Sequence, residues 1–248
     1  MGRFLMLAYG FFCYAVGMAG LSMFVLFVGD WNAFVIHSDA DDPNSLLIAV
    51  PINSGLMILF ALQHSLMARQ RFKQVWIRLI PQEVERSTYV LFSGAVLLIL
   101  CLCWRRIAGT AWHVDNAFLR AALTAMQVCG WGWAVVSSFL INHLELVGLQ
   151  QVYCKFTSQP EPKPMFHERS LYKLVRHPLQ LGILAGIWCA PTMTLTHLML
   201  SAAMTVYIFV GLYFEEKDLL DTWGQAYESY QKRVPMILPI PKRMVRTK

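Results

Sequence analysis

Charge is scarce in this sequence. Of its 248 residues, 15% are Asp, Glu, Lys or Arg, against about a quarter in ordinary soluble domains. No charged, mixed-pattern stretch is long enough to form a separate soluble domain. Cysteines are few as well: Cys13, Cys101, Cys103, Cys129, Cys154 and Cys189. Five lie inside apolar runs and no CxxC pair occurs, which argues against a disulfide framework and for small buried side chains. His64 and His143 belong to no HxxxH or HxxE spacing and the thiols lie elsewhere, so no metal is expected. GxGxxG and P-loop sequences are absent, which removes the signatures of soluble nucleotide-binding folds. Internal repeats and low-complexity segments are also lacking.

What the chain does have is long apolar runs. Hydrophobic residues make up 56% of it and the mean hydropathy is +0.46. The implied class is all-α, a polytopic transmembrane helical bundle of five to six spans. The runs cover roughly 4–28, 46–67, 89–104, 118–141, 179–190 and 193–214. The fifth is short for a full crossing, and five spans plus a half hairpin is the alternative. The first is too long for a signal-peptide core and has no small-residue cleavage pattern, so it is expected to be retained. Residues 68–87 alternate basic with bulky apolar side chains, which suits a helix lying in the membrane interface. The first loop is acidic (Asp30, Asp39, Asp41, Asp42), whereas the second and fourth loops and the tail (Lys242, Arg243, Arg246, Lys248) are basic. This alternation predicts cytoplasmic termini. The net charge of +6 therefore points to anionic lipid and not to nucleic acid. Organisation is expected as one integrated membrane domain. Residues 1–141 form a four-span region, and 142–248 supply a cytoplasmic loop, a terminal hairpin and a cofactor-binding tail.

Chemistry-bearing residues concentrate around the last two spans. Ahead of the hairpin stand Tyr172, Lys173, Arg176, His177 and Pro178. Four-residue spacing would put Tyr172 with Arg176 on one helix face, and Pro178 suits the first position of a helix. Free N–H groups there, together with Arg176 and His177, would attract a carboxylate. After the hairpin come Glu215 and Glu216, carboxylates at a depth where they are costly unless partnered or functional. Tyr227 and Tyr230 follow, three apart. An ion pair closing the hairpin is expected between the two clusters. Upstream, Gln63 and His64 end the second span, Ser87 or Thr88 is placed to cap the third, and Asn142, His143 and Glu145 follow the fourth. Taken one at a time these groups read as structural; gathered on one membrane face they suggest a pocket.

Arg176-His177-Pro178, Gly182, Glu215-Glu216, Leu219, Tyr227, Tyr230 and Val234-Pro235 resemble the C-terminal signature of the isoprenylcysteine carboxyl methyltransferase superfamily. Gln180 replaces that signature's usual Tyr, which speaks against a standard prenylcysteine enzyme. Membrane sterol reductases share the cassette and use it for NADPH, so a reductase is the second reading. A non-enzymatic membrane factor is the third. Over nearly its whole length, through YGFFCYAVGMAGLSMFVLFVGD, LFALQHSLMARQRFK, PQEVERSTYVL, NHLELVGLQQVY and LYKLVRHPLQLG, the chain is similar to the bacterial methanethiol S-methyltransferases. That resemblance implies transfer of a methyl group from S-adenosylmethionine to a small thiol in the bacterial inner membrane. Membrane lipid is the other implied partner, and no obligate protein partner is expected. The cofactor contacts it implies are Gln151, Tyr172, Arg176, His177, Leu181, Glu215, Glu216, Tyr227 and Tyr230. The thiol must ionise before it attacks, and His64, His143 or Glu145 is the expected base, with Arg176 favouring the charged form.

Overall fold

The computed structural model describes residues 2–29, 45–162, 166 and 168–239. The acidic first loop, Pro164 and the basic tail lie outside the described residues. Five helices are long and apolar enough to cross a membrane: Arg3–Val28, Leu46–Ala68, Gln82–Cys103, Ala117–Ile141 and Leu195–Trp223. Pro178–Trp188 is apolar but has 11 residues, reaching roughly 16 Å of a hydrocarbon core about 30 Å thick. Among the described residues there are therefore five full-length helices and one half-length one.

In chain order the helices are α1 (Arg3–Val28), α2 (Ser45–Ala68), α3 (Gln70–Trp76), α4 (Glu85–Cys103), α5 (Ala117–Ile141), α6 (His143–Leu146), α7 (Leu149–Thr157), α8 (Pro178–Trp188), α9 (Leu195–Trp223) and α10 (Gln225–Arg233). Two short strands, β1 (Thr110–His113) and β2 (Thr192–Thr194), pair antiparallel with Trp112 opposite Met193. The chain divides into two compact units that interleave in sequence. The first comprises Met1–Val114, Asn142–Pro162 and Pro191–Ala203; the second comprises Asp115–Ile141, Lys163–Ala190 and Met204–Lys248.

In the first unit, α1 packs along α4. Helix α1 turns Phe4, Leu5, Phe11 and Phe12 outward and buries Met6, Gly10, Cys13, Gly17, Gly20 and Phe24. This is the membrane pattern: apolar side chains face lipid and small residues let backbones meet. A Cβ on Gly94 would fall 2.6 Å from the Gly17 Cα and 2.7 Å from the Val16 carbonyl oxygen, and one on Gly20 would strike the Gly94 carbonyl. The two helices touch backbone to backbone there. Asn53, fully buried in α2, donates to the Arg105 carbonyl at 2.9 Å and accepts from the Arg105 N–H at 2.8 Å, tying down the residues that follow α4. A second core gathers Met6, Val84, Val147, Leu149 and Val152.

In the second unit, α5 packs along α8, and Leu181, Ile183 and Leu184 of α8 pack on Ile208 and Leu212 of α9 together with Ile237.

Four local expectations are corrected. Neither Ser87 nor Thr88 caps α4, which follows Val84; Ser87 Oγ instead donates to the Gly148 carbonyl at 2.9 Å, and Thr88 Oγ1 to that of Val84 at 2.8 Å. Tyr172 and Arg176 do not share a helix face, because Ser170–Lys173 is a single 3₁₀ turn and α8 begins only at Pro178. The N–H groups of Arg176 and His177 are not free for an anion: they donate to the carbonyls of Pro235 and Met236 at 2.9 and 3.0 Å. Finally, α9 does not stop at Phe214 but continues unbroken through both carboxylates to Trp223. It ends where Gly224 adopts φ 53°, a conformation that costs glycine little and other residues much.

Candidate active site

Glu216 is the centre of the second unit's polar cluster. Its Oε1 accepts from Arg176 Nε at 2.6 Å, from His177 Nε2 at 3.0 Å and from the Tyr227 hydroxyl at 3.2 Å; its Oε2 accepts from Arg176 Nη2 at 2.8 Å and from Gln231 Nε2 at 2.9 Å. The Arg176 contact is bidentate, the geometry in which guanidinium recognises carboxylate best. Arg176 Nη1 donates to the carbonyls of Val234 (2.6 Å) and Gln231 (3.2 Å). One guanidinium thereby binds α9, α10 and the residues after α10 into a clamp. Its side chain is 7% exposed and that of Glu216 15%, so the pair is largely screened from water and its loss is expensive.

The tyrosines brace this clamp. Tyr227 and Tyr230 are buried with Val234, and Phe166 packs edge-on against both rings. The Tyr230 hydroxyl donates to the Tyr172 carbonyl at 2.5 Å, and the Tyr172 hydroxyl donates to that of Ser137 at 3.4 Å. Burial raises the pKa of all three phenols, and for Tyr172 the Glu215 carboxylate adds to the effect. Tyr230 is pushed up to about 12. A group that must stay neutral in the folded state contributes stability below its unfolded value of about 10, and this is lost as pH rises through 12. Spectrophotometric titration should therefore find Tyr230 protonated at about pH 11, and Tyr230→Phe should remove one late-ionising phenol from the curve.

Glu215 is placed differently from its neighbour. Its carboxylate is 49% exposed, and His177 Nδ1 lies 4.0 Å from it. On the side of α9 that carries Glu216, a groove of about 420 Å³ is lined by Phe209, Leu212, Tyr213, Glu216, Lys217, Leu220 and Met236; Glu215 is not part of that lining. Leu181 reaches the same apolar cluster as Leu212 and Met236. Sequence reasoning missed Lys217 and Gln231. Lys217 follows the two carboxylates directly and was masked by the basic residues expected at that membrane face, while Gln231 shares the α10 segment with the two tyrosines.

The remaining expected residues belong to the first unit. His64 Nε2 lies 2.7 Å from the Tyr89 hydroxyl and its Nδ1 3.2 Å from Ser93 Oγ. His143 Nε2 lies 3.3 Å from the Tyr14 hydroxyl, and burial lowers its pKa. Glu145 Oε2 accepts from Asn142 Nδ2 at 3.2 Å. Asn142 holds φ 135°, a conformation non-glycine residues seldom adopt, and its Oδ1 accepts from the Glu145 N–H at 3.4 Å. Gln151 Nε2 donates to the Glu145 carbonyl at 3.4 Å, while Gln151 Oε1 is buried with no hydrogen-bond partner among the described residues.

Fold and clamp define an integral membrane protein of the all-α class whose longest helix carries a carboxylate locked to a guanidinium beyond its apolar part. Comparison with known proteins narrows this. The chain is 41% identical to methanethiol S-methyltransferase of Mycobacterium tuberculosis over 98% of its length and 99% of the relative's. It is 41% identical to methanethiol S-methyltransferase of Crocosphaera subtropica over 96% of its length and 93% of that protein's. It is also 30% identical to Nurim of Danio rerio over 68% of its length and 64% of that protein's. No family profile and no solved structure matches it. The chain belongs to the methanethiol S-methyltransferase family and is a methyltransferase.

Proposed function

We propose that this enzyme methylates methanethiol to dimethyl sulfide with S-adenosylmethionine as donor, hydrogen sulfide being a lesser acceptor. The observation that carries the reading is 41% identity over 98% of the chain to a relative of that name. Both relatives at 41% identity are methyltransferases by name, which disfavours the NADPH reductase.

The groove fits the donor by its chemistry. An ammonium, Lys217, stands beside an apolar wall of Phe209, Leu212, Leu220 and Met236, with the clamped Glu216 at its edge, and about 420 Å³ is within the usual range for small-ligand sites. Lys217 matches the donor's carboxylate and the apolar wall its adenine. Glu216, with both oxygens committed, positions Arg176 and His177. Bound S-adenosylmethionine supplies an activated, positively charged methyl group. Methyl transfer to a thiolate cancels opposite charges, so a water-poor wall favours it. Among the three candidate bases, His64 stands out because it lies within a membrane span, where an ionisable side chain marks function by default. The methanethiol substrate is small and apolar enough to arrive through lipid, and the charge pattern of the loops supports cytoplasmic termini in a bacterial inner membrane.

The test uses detergent-purified protein with methanethiol and S-adenosylmethionine, read by headspace gas chromatography. Dimethyl sulfide is the expected product. Calorimetry should show binding of S-adenosylmethionine and S-adenosylhomocysteine. Binding of NADPH alone would overturn the reading.

A further inference from the structure

Helices α2 and α4 carry a polar cluster inside the membrane-spanning part of the first unit. His64 lies four residues before the end of α2 and Tyr89 four residues after the start of α4, each roughly one helical turn from its span's end. The 2.7 Å contact from the Tyr89 hydroxyl to His64 Nε2 and the 3.2 Å contact from His64 Nδ1 to Ser93 Oγ occupy both ring nitrogens. Both partners are hydroxyls, which donate or accept, so the ring can hold the tautomer in which Nδ1–H donates to Ser93 and Nε2 accepts from Tyr89. Gln63 Nε2 reaches Ser93 Oγ at 3.4 Å and Met67 Sδ at 3.3 Å. Gln63 Oε1, by contrast, is buried without a hydrogen-bond partner among the described residues. The Arg86 guanidinium stands 4.9 Å from the centre of the Tyr89 ring, and Phe60 stacks on the imidazole at 5.3 Å.

Polar side chains between spans often serve only as glue. Glue satisfies its own atoms, whereas an orphaned buried acceptor is costly to keep. One sits here beside an imidazole held between two hydroxyls, a chain along which a proton can pass. A thiol of one or two carbons presents a single S–H donor, and a carbonyl oxygen of this kind is what it requires.

We propose that Tyr89, His64 and Ser93 form a relay that ionises the thiol substrate: Gln63 Oε1 first receives the S–H group of the arriving thiol, which then turns to the Tyr89 oxygen for proton transfer. This rests on the reading of the enzyme as a thiol methyltransferase. The thiol proton moves to the Tyr89 oxygen as the Tyr89 proton moves to His64 Nε2, and the S–H bonding pair stays on sulfur. A thiolate and an imidazolium result, with Arg86 as the standing cation beside the Tyr89 ring. After the thiolate is consumed, the imidazolium returns its proton to water, which balances the one proton released per methyl transferred. Gln63 and Tyr89 are the residues that touch substrate. His64 acts through Tyr89, and Ser93 positions the imidazole.

The experiment compares two thiols across Tyr89→Phe, His64→Gln and the unmodified enzyme. Methanethiol needs help to ionise near neutral pH; 2,2,2-trifluoroethanethiol is far more acidic and needs little. Both variants should lower kcat/KM for methanethiol about 10²-fold or more, in line with general-base contributions. They should stay within about threefold of the unmodified enzyme for the acidic thiol, with S-adenosylmethionine binding unchanged. Equal losses on both thiols, or no loss on either, would overturn the relay. Failure of the unmodified enzyme to methylate any thiol would instead remove the functional reading on which it rests.

Discussion

Replacing Arg176 with Lys should lower methyl transfer at least about 10²-fold while leaving the membrane helices folded: this is the largest effect on activity expected from a single substitution. A lysine keeps the positive charge but not the fork. It cannot meet both oxygens of Glu216 at 2.6 and 2.8 Å while also donating to the carbonyls of Val234 and Gln231. A hydrogen bond to a charged group is typically worth about 1.5–3 kcal/mol, and the lysine forfeits about two of those the guanidinium makes, roughly 3–5 kcal/mol in all. Expressed in rate, that is a loss of roughly 10² to nearly 10⁴. The loss should come together with weaker donor binding, since the clamp sets the conformation of residues flanking the groove. Glu216→Gln should be impaired as well, and the double variant should be little worse than either single one, as members of one network are not additive. Initial rates and calorimetry on the four proteins check this. A Lys variant with unchanged rate and unchanged donor binding would remove the clamp from catalysis altogether.

The largest expected effect on stability lies in the first unit, at Gly94. A leucine there would put its Cβ 2.6 Å from one backbone atom of α1 and 2.7 Å from another. Neither is the end of a flexible side chain, so neither can swing aside, and α1 and α4 must move apart along their line of closest approach. Lipid offers an apolar side chain nearly what a neighbouring helix offers it, so association of spans rests on close van der Waals contact, which a small gap forfeits. Overpacking costs typically about 1–3 kcal/mol and sometimes more; with two backbone clashes, about 3 kcal/mol is expected, a fall in Tm of roughly 6–12 °C. Thermal unfolding in detergent measures it. Gly132→Leu is a suitable control, because a Cβ there meets nothing within 4 Å. Equal melting of the Gly94 and Gly132 variants would mean that α1 and α4 do not rely on this contact.

The spans themselves were legible because an uninterrupted apolar run of about twenty residues suits a membrane helix and little else. Pairing of Arg176 with Glu216 was legible too, since the two charges flank the last apolar pair and a carboxylate at that depth needs a partner. Less could be read where geometry depends on distant backbone. The segment after Phe214 is strongly charged, which hid its continuation of α9; only Gly224 marks where that helix stops. Strands β1 and β2 have four and three residues, too few for an alternating pattern to register. Tyr89 and His64 are 25 positions apart on different helices, and no spacing rule links them. His177 and Arg176 were expected to offer free backbone N–H groups because Pro178 starts a helix. That inference failed when residues 235 and 236 folded back to take them.

Helix α9 has a mechanical consequence. Its 29 residues make a rod of about 43 Å, whereas the oily interior of a bilayer is about 30 Å deep. Val206, Phe209 and Val210, exposed along it, are set in one rigid piece with Glu215 and Glu216. Membrane thickness therefore becomes a variable of the enzyme: reconstitution into lipids of longer or shorter acyl chain alters how far the carboxylate end stands clear of the surface, through tilt of a single continuous lever.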